Sequence, residues 1–493
     1  MSNEVRQAIV IVHGMGEQRP LETLKGFIDA ALPGPPSELH SRPDKVTDSY
    51  EARRYLAERK PKNRNAKEIY AQTEVYEFHW AHMMQGNRLD DMWSTFRRVL
   101  FAFPNQVPSG LRVVWALFWL GVALTVWAFW AGPLSDLGLL DVTGDEGIAR
   151  VIRTLIGSSL ITSALIYVIT KMLPSWMTKN FVDVVRYLDT SARSYDARRN
   201  IRKGMVELLD GLHKAKDSDG DPRYQRIILV AHSLGAYIAY DGIAYLWTRM
   251  NKLHAGAHKQ EPPPSPDPSN TPDGLAELEA AAQVLLDAEQ MGRKATTQQV
   301  KTYREAQRNL WLGLRKNGNP WIITDFVTAG TPMYMADRIY TKNEKEFRER
   351  ASLTELPRCP PVSDDASGEP LKYTWKNGSR KVLYHGAPFA VVRWTNVWFP
   401  PALGFFGDWF GGPLARLYGY GIQDVPLKGN KPKQLIPAWA HTLYFDFPED
   451  EGADSVTGVL QEAFDLASSE WLAPTLQAPA PNPETAQGTA KAG

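Results

Sequence analysis

Residues 226–237 read Arg-Ile-Ile-Leu-Val-Ala-His-Ser-Leu-Gly-Ala-Tyr, and the serine inside this stretch stands where a hydroxyl can do chemistry. Ile227 to Ala231 form an apolar run of strand length, and Ala236 to Leu246 carries a helical pattern. Only a very tight turn can join them. A serine on such a strand-to-helix turn is raised above the strand end, and small residues on either side let the backbone double back without collision. Ala231-His232-Ser233-Leu234-Gly235 has this layout, with alanine where glycine usually opens the pattern. A strand followed by a helix-capping serine would look similar, so the partners decide. A nucleophilic serine needs a base and a group that orients the base.

A second turn could assist it. The strand-like run Ala8 to Val12 exits into His13-Gly14-Met15-Gly16, and a glycine-rich exit can aim backbone N–H groups at a developing oxyanion. Taken alone it reads as an ordinary strand exit.

Elements must bring these turns together. Strand-like runs at Ala8 to Val12, Glu74 to His79, Ile227 to Ala231, Asp325 to Ala329 and Val391 to Val397 are separated by helical stretches such as Val182 to His213. Alternation of this kind predicts a mostly parallel α/β sheet covered by helices on both faces. Functional groups in such sheets gather at the carboxyl ends of the strands, where Ser233 falls.

The two turns together resemble the lipase- and esterase-like serine hydrolases of the α/β-hydrolase superfamily. Val327-Thr-Ala-Gly-Thr-Pro-Met333 is also similar to the strand exit that follows the serine turn in lipase-like members. The resemblance covers the scattered core of the chain. It implies a Ser-His-Asp triad in the chain order serine, acid, histidine. Asp408 stands alone among apolar and glycine residues after the Val391 to Val397 strand, and Asp408 to Gly412 is similar to the acid-bearing loop of such enzymes. It is the expected acid, with Asp337 and Asp424 as rivals. His441, in the loop before the amphipathic stretch Ser455 to Leu472, is the expected base. His385 competes but precedes the acid. His232 is assigned to structure. The resemblance further implies an oxyanion hole from the amides of Leu234 and of Met15 or Gly14. The apolar loop residues Phe405, Phe406, Trp409 and Phe410 are expected to line an acyl pocket.

Composition narrows the function classes. Lys plus Arg number 56 against 55 Asp plus Glu, so no basic field exists to gather nucleic acid. Cys359 is the only cysteine, which leaves no intrachain disulfide and points to a reducing compartment. No P-loop or Gly-x-Gly-x-x-Gly follows a strand and no second ligand accompanies His13 at helical spacing, so no cofactor or metal is expected. The basic patch from Arg53 to Lys67 reads as a solvated helix or loop face. The first residues lack the apolar core of a signal peptide, so the N-terminus is expected to stay.

Two segments depart from the soluble pattern. Leu111 to Gly132 is apolar all round, with Trp115, Trp119, Trp127 and Trp130 in its outer parts, and suits a bilayer span. Thr154 to Thr170 is shorter and richer in Ser and Thr, with Gly157 and Ser158 as small contacts. Together they predict an inserted two-helix transmembrane hairpin; a buried hairpin capping the site is the alternative. Basic flanks and an acidic loop place the catalytic domain on the cytoplasmic side.

The expected organisation is hydrolase core over 1–100, the hairpin insertion over 101–178, core with the serine turn over 179–250, a Pro-rich linker with a helical insertion over 251–318, core with the acid and histidine loops over 319–473, and a disordered tail over 474–493. The expected partners are the membrane bilayer and a lipid or other apolar ester. The rival expectation is an inactive hydrolase fold serving as a membrane-tethered interaction module, with Leu275 to Lys316 as a docking arm.

Overall fold

A computed structural model describes residues 5–14, 26–28, 40–43, 53–57, 71–84, single positions and short pieces from 101 to 123 and from 184 to 188, and residues 192–251, 272–362, 373–376, 380–401, 407–429, 439–446 and 455–466. Its strands are β1 (Val5–Val12), β2 (His40–Pro43), β3 (Arg53–Ala57), β4 (Ala71–Phe78), β5 (Arg226–His232), β6 (Ile323–Ala329), β7 (Tyr373–Lys376), β8 (Arg380–Leu383), β9 (Arg393–Trp398) and β10 (Gln423–Pro426). The helices used below are α1 (Ala192–Lys214), α2 (Gly235–Met250), α3 (Leu275–Gln290), α4 (Thr297–Lys316), α5 (Glu344–Ser352), α6 (Ala415–Tyr418) and α7 (Val456–Phe464).

Eight strands form one sheet in the order β10-β9-β6-β5-β1-β4-β3-β2. From β10 to β4 every pairing is parallel, and β3 and β2 add an antiparallel edge. The alternating chain therefore builds a parallel α/β sheet. Its central strands carry unbroken apolar runs because both of their faces are covered. Val10, Val12, Leu229 and Ala231 pack on the side of α1, α2 and α4, whereas Ile9, Ile11, Ile228 and Val230 pack on the side of α7.

Two expectations change, and one strand is new. Arg53–Ala57 is a strand, not a helix or loop face, because its backbone pairs with the β4 edge. β10 pairs with β9 at the far edge, where three half-buried residues and the exposed Pro426 carry too little apolar pattern to announce a strand. The Leu275 to Lys316 segment does not project as an arm. It forms α3 and α4, which sit between parallel β5 and β6 in chain order, and α4 closes over the core with Tyr303, Leu310, Trp311 and Leu314 buried. Gln307 of α4 donates to the carbonyls of Phe389 and Val392 at 2.7 and 2.9 Å, and Arg304 donates to that of Trp394 at 3.0 Å.

The two apolar segments lie mostly outside the described residues. Of the first, residues 118–123 are helical, and the second is not described. Among the described residues no helix is long and apolar enough to cross a membrane. The tail from 474 onward and most of the Pro-rich linker, 252–271, also lie outside them.

A buried ionic cluster ties β5, β6 and β9 near their amino ends. Arg226 is fully buried and donates to Asp325 at 2.7 Å and to Thr324 at 2.8 Å, while Arg393 donates to the other Asp325 oxygen at 2.8 Å. Burial alone would raise the Asp325 carboxyl, but Arg393 and Arg226 beside it hold it below its ordinary value.

Candidate active site

Ser233 follows the last residue of β5 and adopts φ of 55°, in the left-handed region that costs a side-chain-bearing residue about 1–2 kcal/mol. Its surroundings hold it there. Its N–H donates to Ala329 O at 3.0 Å, which ties the turn to β6, and its own carbonyl accepts from Ala236 N–H at 3.2 Å, which starts α2. The helix begins directly over the end of β1. A Cβ on Gly235 would stand 2.3 Å from Val12 O and 2.6 Å from His13 O, so only glycine lets the two backbones cross. Alanine in place of the usual first glycine fits because Ala231 is a fully buried β5 residue paired with Val12 and Thr328.

His441 lies in the single 3-10 turn Trp439–Thr442. Its Nε2 is 2.9 Å from Ser233 Oγ, and its Nδ1 is 3.1 and 3.2 Å from the two oxygens of Asp408. Residues that are 208 and 33 positions apart in the chain thus form one hydrogen-bond chain. The chain fixes the tautomer: Nδ1–H donates to the carboxylate, and the free Nε2 accepts the serine proton.

Asp408 is held by more than the histidine. Phe410 N–H donates to Oδ1 at 2.8 Å, and the Tyr444 hydroxyl donates to Oδ2 at 2.6 Å. The Tyr444 oxygen in turn accepts from Phe399 N–H at 3.2 Å, so it links the acid to the end of β9. A fully buried carboxylate survives only with such donors. The Asp-x-x-Gly-Gly pattern has a local reason, because a Cβ on Gly411 would come within 2.6 Å of Asp408 Oδ2 and 2.9 Å of the Tyr444 hydroxyl. Tyr444 escaped the sequence reading. Its only signal is its place three residues after His441, one turn further along.

The rivals are engaged elsewhere. Asp337 is buried and pairs with Arg416 at 3.1 Å. Asp424 accepts from Asn396 and from the Leu414 and Ala415 amides at the start of α6, and burial raises its carboxyl despite those donors. His385 is exposed and bonded to Thr354 at 2.8 Å. It borders a cavity of about 340 Å³ on the flank of α2, lined also by Arg202, Tyr240 and Asp241, which contains no triad residue.

Of the expected oxyanion donors, Leu234 is fully buried and directly follows Ser233 at the start of α2. Gly14 lies against Ser233, since a Cβ on it would be 3.0 Å from Ser233 Cβ. Met15 lies outside the described residues. So do Phe405 and Phe406. Trp409 and Phe410 are buried; the Trp409 carbonyl accepts from Tyr334 at 2.7 Å, and the Phe410 ring packs 5.0 Å from that of His441.

His13 stacks on Trp80 at 5.2 Å and donates from Nδ1 to Gly14 O at 2.8 Å. Burial is the main cause that lowers its imidazole to about 4. Among the described residues no group of three His, Cys, Asp or Glu is arranged to hold a metal ion. Comparisons with protein-family models, with curated proteins and with solved structures find no match for this chain.

Proposed function

We propose that this chain is a serine hydrolase of the α/β-hydrolase fold that cleaves an acyl ester through a covalent intermediate. The observation that carries the reading is the unbroken chain Ser233 Oγ, His441 Nε2, His441 Nδ1, Asp408, at 2.9 and 3.1 Å. A parallel sheet, a serine at the end of a central strand and the order Ser, Asp, His support the fold assignment.

The steps follow from that geometry. His441 Nε2 takes the hydroxyl proton as Ser233 Oγ bonds to the ester carbonyl carbon, and the carbonyl electrons move onto oxygen. Asp408 accepts from Nδ1–H and stabilises the imidazolium. The amide of Leu234, with that of Gly14 or Met15, is the proposed donor to the oxyanion; a donor of this kind contributes about 3 kcal/mol. Collapse returns the proton from Nε2 to the leaving alcohol. Water, deprotonated by the same imidazole, then releases the acid.

The substrate class proposed is a lipid or other apolar ester. It rests on the buried Trp409 and Phe410 beside the triad and on the apolar segment Leu111 to Gly132. A bilayer anchor fits the same segment. Phe101 and Phe103 at its approach are 64% and 72% exposed, and the Phe101 ring meets that of Trp119 edge-on at 5.5 Å. A catalytically inactive module would have no use for an intact proton relay. The test is labelling by a fluorophosphonate probe: the parent chain is expected to label and Ser233→Ala to remain unlabelled, and equal labelling of the two would remove Ser233 as nucleophile.

A further inference from the structure

His232 is left over by the mechanism, yet it touches the base. The ring precedes the nucleophile by one residue, and its Nε2–H donates to the backbone carbonyl of His441 at 2.8 Å. Its ring centroid lies 4.8 Å from that of His441 and 5.5 Å from that of Tyr444. The opposite edge of the ring meets Gly14, where a Cβ would stand 2.7 Å from Nδ1. One side chain therefore spans the serine turn, the histidine turn and the first strand exit.

We propose that His232 is a positioning residue for the triad: as a neutral imidazole it fixes the backbone of the His441 turn to the serine turn, so that His441 Nε2 rests within reach of Ser233 Oγ. The inference deepens the hydrolase reading and rests on it.

The need for such a tie follows from the chain. The His441 turn is a single 3-10 turn, which on its own aims a side chain poorly. Among the described residues, the polar links from its imidazole are the hydrogen bonds to Ser233 and Asp408, and the first of these is interrupted in every catalytic cycle. A bond from His232 to the backbone persists while the imidazole exchanges protons. It also holds the base from the residue covalently joined to the nucleophile, so base and hydroxyl move together. A placement error near 1 Å at the reacting atoms costs about 100-fold in rate.

Neutrality suits the task. Desolvation, followed by the neighbouring His441, lowers the His232 imidazole to about 3, against the opposing pull of the His441 carbonyl and Asp408. The groups that face it are His441, Asp408 and His13. A cation at this place would repel the imidazolium that forms on His441, whereas a neutral ring gives direction without charge.

The test uses the full-length chain and a rhodamine-tagged fluorophosphonate, with the maximal inactivation rate kinact, the half-saturating concentration KI and the final labelled fraction read separately. His232→Phe keeps a ring without the donor, His232→Asn has an amide too short to reach the His441 carbonyl, and His232→Gln carries an N–H about as far as Nε2. The Phe and Asn variants are expected to lose about 10- to 100-fold in kinact with KI unchanged and the labelled fraction intact. His232→Gln is expected to recover most of the loss. A purely structural role would lower the labelled fraction and leave kinact as it was, which overturns the proposal, as does a Gln variant as slow as Phe. Where the Phe variant does not accumulate, the Asn and Gln pair makes the same comparison. An unsubstituted chain without Ser233-dependent labelling would overturn the hydrolase reading itself, whereas normal labelling of the parent with unchanged kinact in the variants counts against His232 alone.

Discussion

Gly235→Ala tests whether the crossing of α2 over β1 sets the triad. The new methyl would stand 2.3 Å from Val12 O and 2.6 Å from His13 O, about 1 Å short of ordinary contact. Neither oxygen can swing aside. Val12 is paired with Phe78 on one side and Ala231 on the other, so its carbonyl belongs to the middle of the sheet. Relief must come from α2, which has to withdraw by about 1 Å and carry Ser233 with it. Alanine favours the helix by at most about 1 kcal/mol over glycine, while forcing a methyl against fixed backbone costs about 1–3 kcal/mol or more, so destabilisation wins. The hydroxyl now 2.9 Å from His441 would leave hydrogen-bond range, and the rate should fall about 100-fold. Gly242→Ala on the same helix is the control, because there the nearest atom is the flexible Met205 Cγ at 2.7 Å. The assay is thermal unfolding together with the fluorophosphonate labelling rate. A Gly235→Ala chain that melts no lower and labels no slower than its parent would refute the account of the turn.

Asp408→Asn leaves the shape of the site but presents a group that no longer selects the Nδ1–H tautomer; kcat on a short-chain nitrophenyl ester should drop by about 10⁴-fold with little change in KM. Tyr444→Phe removes a donor from buried Asp408 and the acceptor of Phe399 N–H, and chemical denaturation should show a loss of about 2–4 kcal/mol. His13 sits at about 4 when folded, below its ordinary 6.5. The unfolded chain therefore takes up this proton first, so the stability contribution is whole above pH 6.5 and is lost as pH falls from 6.5 towards 4. In His13→Asn, which can still donate to Gly14 O, the gap between urea midpoints at pH 7 and pH 5 should narrow. For topology, Cys359 is fully buried and will resist thiol reagents in the native chain, so protease protection of sealed vesicles is the better assay. Cleavage from the cytoplasmic face on both sides of the whole hairpin, before Leu111 and after Thr170, is the expected result, and full protection of both would overturn the orientation.

The serine turn was readable because it packs three local demands into five residues: a buried strand, a turn too tight for side chains, and a helix start. Asp408 and His441 were readable for a different reason. Asp408 is a lone carboxylate in an apolar setting, which signals a buried partner, and chain order then selected His441 over His385. What stayed hidden depends on contacts between distant residues. Tyr444 looks like any core tyrosine until its hydroxyl is seen on Asp408. Likewise, His232 became more than a spacer only through a bond to a backbone 209 residues away. β3 was lost to the charges of its sequence, since it is specified by backbone pairing to β4 on one side and β2 on the other and not by an apolar run. The helical pattern of α3 and α4 was clear, but their membership of the core rests on Tyr303 and Gln307 reaching the Phe389 carbonyl.

The ionic cluster around Asp325 has a bearing on where the chemistry ends up. Parallel strands share no hairpin whose turn could dictate how they line up, and sliding one by two positions keeps every inward residue facing inward. Such a slide would strand Arg226 and Arg393 away from their carboxylate in a dry interior, a fault too costly to tolerate. Alignment of β5, β6 and β9 is thus keyed at the end remote from the nucleophile. Through those rigid rods, the key decides how high Ser233 and the Asp408 loop emerge at the opposite rim.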